Sequence, residues 1–177
     1  YDKGEMFHEG GVPTEYYEIP IGDPDIKRVG KDVTILTVGA TLYTALEAAD
    51  ELKEKYGMEA EVIDARTVSP FNYELVAESV KKTGRIVLAS DACERGSHLK
   101  DMAATISELC FDYLDAPAVV VGSKNWITPA ADYEKFFFPQ PSWIIDAIHQ
   151  KIVPLKGHTA SVNYTEGETI RINKLGV

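Results

Sequence analysis

Cysteine is scarce in this chain: Cys93 and Cys110 are the only two. They form no CxxC pair and stand at no metal-ligand spacing from the histidines. Two thiols build no disulfide framework in 177 residues, so a reducing, cytoplasmic setting is expected. Positive charge is also short. Eighteen Lys and Arg face 28 Asp and Glu, for a formal net charge of −10. That balance argues against a nucleic-acid partner, whose phosphates want a cationic excess, and against an anionic membrane surface. It fits an acidic, solvated exterior. No apolar run approaches the ~18 residues of a membrane span, and no secretory leader is visible, so neither insertion nor export is expected. A starting Met is missing too. The chain opens at Tyr1 in polar, Gly-rich sequence, which reads as a piece of a longer polypeptide.

What is present is a regular alternation of β-branched runs and helical repeats. Val33 to Val38 is apolar on both alternating faces, interrupted only by threonines, as a central parallel strand requires. Leu42, Ala45, Leu46, Ala49 and Leu52 then recur at helical spacing, with charged residues between them. Thr41 is placed to cap this helix and Gly57 to stop it. Glu61 to Asp64 is a second strand. Asn72 opens a second helix that ends at Gly84, with Lys81 and Lys82 in its last turn. Arg85 to Ser90 is a third strand, and Ser97 caps a third helix bearing Leu99, Met102, Ala103, Ile106 and Leu109 on one face. Ala118 to Val121 is a fourth strand, and Ser142 to Val153 a fourth amphipathic helix. This order predicts an α/β fold in three layers: a mostly parallel, twisted sheet of about five strands with helices on both faces. Tyr16 to Ile21 is expected as an extra strand, at a sheet edge because Pro20 donates no ladder bond. Ile26 to Lys31 reads as a connector. Residues 1–14 read as a linker or arm, 15–153 as the domain, and 154–177 as an extended tail.

An open sheet of this kind places ligands at the carboxyl ends of its strands, so four loops carry the candidates. At Gly39-Ala40-Thr41 only one glycine of a dinucleotide-binding G-x-G-x-x-G is present, with Asp64 in the place of a ribose-binding acid. A helix start there can hold at most a lone anion. In the second loop, Arg66 can clamp a carboxylate or phosphate; the plainer reading is that it pairs with Asp64 or a nearby acid and fixes the loop. The third loop, Ser90 to His98, is the richest in titratable groups. Cys93 with His98 has the elements of a nucleophilic pair. Glu94 beside the thiol opposes thiolate formation, and nothing in the sequence orients His98. Asp91, Glu94, Arg95 and His98 are therefore assigned to a polar subunit or domain contact. The fourth loop brings Trp126, Phe136, Phe137 and Phe138 near Trp143. Such aromatics either pack on the domain's own edge or form an interface core, and Trp126, Phe137 and Phe138 are taken as contact candidates. His8, His149 and His158 have no ligand partners at useful spacing and are expected on the surface.

Several phrases of the chain match a known family. They are Asp32-Val-Thr-Ile-Leu-Thr-Val-Gly39, Ala45-Leu-Glu-Ala-Ala49, Glu61-Val-Ile-Asp-Ala-Arg-Thr-Val-Ser-Pro70 and Glu78-Ser-Val-Lys-Lys-Thr-Gly-Arg-Ile-Val87. Leu114-Asp-Ala-Pro-Ala-Val119 and Ile144-Ile-Asp-Ala-Ile148 extend the match. In order and spacing they resemble the C-terminal domain shared by transketolases and by the beta subunits of the decarboxylase component of 2-oxoacid dehydrogenases. The resemblance implies a parent enzyme that uses thiamine diphosphate and Mg, held between other domains. No catalytic, cofactor-binding or metal-binding residue is carried over to this chain. It implies a domain that braces a homodimer or heterotetramer with the remaining domains or subunits of the parent, and that helps dock an acyltransferase core. A transketolase-like ketol-transfer parent and a free-standing α/β module holding a small anion are the other readings.

Overall fold

The structure is a computed structural model that describes residues 13–125 and 127–161. Trp126, the arm before Pro13 and the tail after Ser161 lie outside the described residues.

Five strands form one sheet. They are β1 (Asp25–Arg28), β2 (Val33–Val38), β3 (Ala60–Asp64), β4 (Ile86–Cys93) and β5 (Val119–Ser123). Their order across the sheet is β1-β3-β2-β4-β5. β2, β3, β4 and β5 run parallel, and β1 lies antiparallel against β3. Four helices connect them: α1 (Thr41–Tyr56), α2 (Glu74–Thr83), α3 (His98–Leu109) and α4 (Pro141–Lys151). This is the expected α/β architecture.

The layering follows from alternation along the strands. Val33 and Ile35 of β2, Val62 of β3, Val87 and Ala89 of β4, and Val119 and Val121 of β5 point to one face. There they meet Ala45, Ala48, Ala49 and Leu52 of α1 and Ile144, Ile145 and Ile148 of α4. Leu36, Ile63, Ile86, Leu88 and Val120 point to the other face, against Val76 and Val80 of α2 and Leu99, Met102 and Ile106 of α3. With both faces covered, the parallel strands read largely apolar rather than apolar at every second residue. The polar interruptions are satisfied. Buried Thr34 Oγ1 lies 2.7 Å from Ser79 Oγ and 2.8 Å from Thr83 Oγ1, which ties β2 to α2.

Three local readings are corrected. Tyr16 to Ile21 is not a strand: it is exposed and unpaired coil, and the antiparallel edge strand is Asp25–Arg28, inside the stretch read as a connector. Both are polar-apolar mixtures. The difference is that Asp25, Ile26 and Arg28 find partners on β3, and Pro20 and Pro24 bracket a turn instead. β4 runs three residues further than expected, to Cys93, through an irregularity after Ala89. Neither expected cap forms: Thr41 is the first helical residue and is buried, and Ser97 precedes α3 with its Oγ meeting no hydrogen-bond partner among the described residues. Asn72 does serve its helix, its Oδ1 accepting the Glu74 N–H at 3.0 Å. Gly57 and Gly84 both close helices in the left-handed conformation, at φ 66° and 68°.

Candidate functional site

The loops at the carboxyl ends of β3, β4 and β5 hold the candidate residues. After β3, Arg66 itself is left-handed, at φ 58°. Its N–H donates to Asp64 Oδ1 at 3.0 Å, and its guanidinium reaches Asp25 Oδ2 at 2.6 Å. Lys27 pairs with the same Asp25 oxygen, and the hydrogen bond from its ammonium, with the Arg66 charge beside it, lowers the Asp25 carboxyl pKa although burial opposes this. Arg66 therefore fastens the third-strand loop to β1.

The extra length of β4 reorganises the third candidate loop. Asp91 and Cys93 stand on the strand, and Cys93 lies opposite Ser123 of β5. The Cys93 thiol donates to the Arg95 carbonyl at 2.9 Å. The Glu94 N–H donates to the Ser123 carbonyl at 3.1 Å, and the Arg95 N–H to Asn125 Oδ1 at 3.0 Å. Lys100 on α3 sits 4.0 Å from the Glu94 carboxylate. His98 begins α3 half-buried, and its Nε2 meets no hydrogen-bond partner among the described residues. Gly122 makes this arrangement possible. A Cβ there would lie 2.6 Å from the Ala92 carbonyl oxygen and 2.7 Å from the Glu94 nitrogen. The strand ends thus close into a rigid polar rim of backbone bonds.

The fourth loop divides. Phe137 turns inward and is 3% exposed, and its carbonyl accepts the Lys124 N–H at 3.0 Å. Phe138 packs edge-on against it at 4.9 Å. Trp143 is buried in α4, with Lys124 Nζ 4.2 Å above its ring. Ile127, by contrast, is 94% exposed, and Tyr133 and Phe136 are about half exposed. Phe137 and Phe138 thus belong to the domain's own edge. Ile127, Tyr133 and Phe136 form an unburied apolar set on the same loop.

One cluster has no counterpart in the sequence reading. His158 is not a surface residue. Its Nδ1 lies 2.7 Å from the Tyr56 hydroxyl and its Nε2 2.7 Å from Asp146 Oδ1. The other Asp146 oxygen accepts the Ser161 N–H at 3.0 Å and the Ser161 hydroxyl at 2.8 Å. His149 Nδ1 accepts the Leu155 N–H at 2.8 Å. These bonds pin residues 155–161 onto α1 and α4. His8 lies outside the described residues. No local spacing marks the cluster, because Tyr56 and His158 are 102 positions apart. The nearest signal is the apolar Leu155 inside a polar stretch.

Chemically, the rim offers paired charges and closed backbone bonds. Among the described residues no group of three or more His, Cys, Asp or Glu is placed to hold a metal ion. No helix among them is long and apolar enough to cross a membrane.

The family model for the C-terminal domain of transketolase matches residues 22–144. The chain is 40% identical over 145 residues to the beta subunit of acetoin:2,6-dichlorophenolindophenol oxidoreductase from Bacillus subtilis, covering 81% of this chain and 42% of that protein. It is 39% identical over 142 residues to the mitochondrial 2-oxoisovalerate dehydrogenase subunit beta of Dictyostelium discoideum, covering 80% and 38%. It is 36% identical over 135 residues to the pyruvate dehydrogenase E1 component subunit beta of Bacillus subtilis, covering 76% and 41%. Among solved structures, an inactive beta4 tetramer of a split-gene transketolase is similar, at TM-score 0.58 and 28% identity, covering 74% of this chain and 41% of that one. The chain spans about two fifths of the length of these relatives.

Proposed function

Because the chain belongs to the transketolase C-terminal domain family, we propose that it is the non-catalytic C-terminal domain of a thiamine diphosphate-dependent 2-oxoacid dehydrogenase decarboxylase component. The observation that carries this reading is the 36–40% identity to oxidoreductase and dehydrogenase beta subunits over about four fifths of the chain. In this reading the parent decarboxylates a 2-oxoacid and passes the acyl group to a lipoyl carrier. Thiamine diphosphate and Mg are held by its other parts. The unit reaching from residue 15 to 153 braces the assembly, as a homodimer or a heterotetramer, and helps dock an acyltransferase core in the cytoplasm.

The apolar set Ile127, Tyr133 and Phe136 supports an assembly role. Large apolar side chains left in water beside a rigid polar rim have the composition of an interface anchor with its surround. The polar candidates Asp91, Glu94, Arg95 and His98 supply that rim. A second reading, a ketol-transfer parent, is favoured by the likeness to the split-gene transketolase.

Assaying the full-length gene product on 2-oxoacids and on sugar phosphates separates the two. Turnover of 2-oxoacids with a lipoyl acceptor is expected, and turnover of sugar phosphates alone overturns the first reading. The isolated chain is expected to be inert on both. Decarboxylation of a 2-oxoacid by this chain alone would refute its non-catalytic role.

A further inference from the structure

Residues 16–21 leave the domain with their apolar side chains in water. Tyr16, Tyr17, Ile19 and Ile21 are each more than half exposed, and every residue from Pro13 to Ile21 is exposed. The segment has a fixed root: Gly22 is buried, and its carbonyl accepts the Asn72 N–H at 2.8 Å. Upstream of that point, among the described residues, no strand pairs with residues 16–21 and none of their backbone N–H groups meets an acceptor. The sequence is nevertheless built for pairing. Tyr17, Ile19 and Ile21 stand two apart, so in an extended chain they share one face. Tyr16 and Glu18 share the other, where the Tyr16 hydroxyl donates to the Glu18 carboxylate. Pro20 lacks an N–H, which leaves one edge of the segment, that of Tyr17, Ile19 and Ile21, with an unbroken set of donors.

We propose that residues 16–21 are a docking strand that adds to the open edge of a β-sheet in the part of the parent polypeptide preceding this domain. Tyr17, Ile19 and Ile21 fill apolar pockets beside that edge, and Tyr16 and Glu18 face away from them. This rests on the parent proposed above. Two observations name the occupant. The family model begins at residue 22, so the segment lies just outside the domain fold. The chain spans about two fifths of its relatives' length, and a C-terminal domain has the remainder of such a protein before it. Among the described residues this domain offers the segment no site of its own. Both sheet faces are covered by helices, and β1, the nearest edge, leaves it unpaired. A partner on the same polypeptide also outcompetes a second copy, because its effective concentration is of roughly millimolar order.

Amide hydrogen exchange on the full-length gene product tests this. A strand paired along one edge protects alternate amides. Exchange at Tyr17, Ile19 and Ile21 should be slowed by about tenfold or more, with Tyr16 and Glu18 close to the unprotected rate. Ile19→Pro removes a donor from the paired edge and should release Tyr17 and Ile21. Glu18→Pro removes one from the outer edge and should leave the pattern intact. Fast exchange throughout residues 16–21 overturns the proposal, and so does protection that Ile19→Pro leaves in place. Protection of equal size in the 177-residue chain alone puts the partner within this domain and overturns it. Protection lost on dilution from roughly 100 to 1 μM assigns the strand to a second copy and overturns it equally. The pattern does not depend on which substrate the parent turns over. A ketol-transfer parent would therefore overturn the first reading above and leave this one standing.

Discussion

Gly122 carries more of the rim than any polar residue near it. Its missing Cβ lets the Ala92 carbonyl and the Glu94 amide approach where a methyl would stand 2.6–2.7 Å away. Both obstacles are backbone and cannot swing aside. Gly122→Ala is therefore expected to cost about 2 kcal/mol or more, read as a lower urea midpoint with an unchanged slope. Glu61 makes a second prediction. Its side chain is 1% exposed, and it accepts from the Lys82 ammonium and, at 3.2 Å, from the Gly30 N–H. Burial pushes its carboxyl pKa up, but the bonds from Lys82, Ser79 and Gly30 together bring it below the ordinary value. A lowered folded pKa means stability that is present above the unfolded value, near 4.3, and lost as pH falls through the folded one. Glu61→Gln should cost about 2 kcal/mol at pH 7, discounted for the half-exposed Lys82, and the gap from wild type should shrink as pH falls below the unfolded value and close once it passes the folded one. An undiminished gap at acid pH would disprove the linkage. Residue-scale features such as these were poorly legible in the sequence. Glu61 reads there as a strand residue with no partner, since Lys82 is 21 positions away on a helix. Arg66 was placed in a loop-fixing pair, but its carboxylate, Asp25, lies 41 positions back.

Elements were more legible, because periodicity and caps are local. The four helices and the four parallel strands of the structure lie where spacing, Gly57, Gly84 and Asn72 put them, within a few residues. The failures share one cause. Asp25–Arg28 is a strand only because β3 accepts it, and Tyr16 to Ile21 has the better composition but no strand partner among the described residues. β4 outruns its apolar stretch because Gly122 lets β5 accompany it to Cys93. Strand membership at an edge is a tertiary property that single-sequence preference does not report. The same holds for residues 155–161, where two histidines supply the anchors. His158→Ala removes the bonds to Tyr56 and Asp146 together. It should lower stability by about 1–2 kcal/mol and speed tryptic cleavage after Lys156, while the helix signal in circular dichroism stays constant. Cleavage at the wild-type rate would show that Leu155 alone holds the segment.

At the scale of the whole molecule, the sheet is covered by α1 and α4 on one side and α2 and α3 on the other. With both faces occupied, a further strand can reach the sheet only at its edges. Ile127→Glu with Tyr133→Glu tests the rim. Both side chains are exposed, so urea stability should stay within about 0.5 kcal/mol of wild type. Assembly of the full-length protein should weaken by about 2 kcal/mol or more, seen as a shift to smaller species on dilution in sedimentation. Wild-type assembly in this variant would remove the rim from the interface. The fold class was readable from the chain because alternation, helix spacing and turn glycines all agree on one architecture. The rim's partner was not, because an exposed aromatic looks the same in one sequence whether it meets a neighbour or packs at home, as Phe136 and Phe137 show side by side. The sheet order has a further consequence for synthesis. Among the described residues no two neighbouring strands form a hairpin: each ladder joins segments separated by at least a helix. A chain emerging from the ribosome therefore cannot settle strand by strand. Until β4 has left the exit tunnel, β2 has a neighbour on one side only, and the cluster of Leu36, Ile63 and Val80 lacks Ile86, Leu88 and the α3 side chains that complete it.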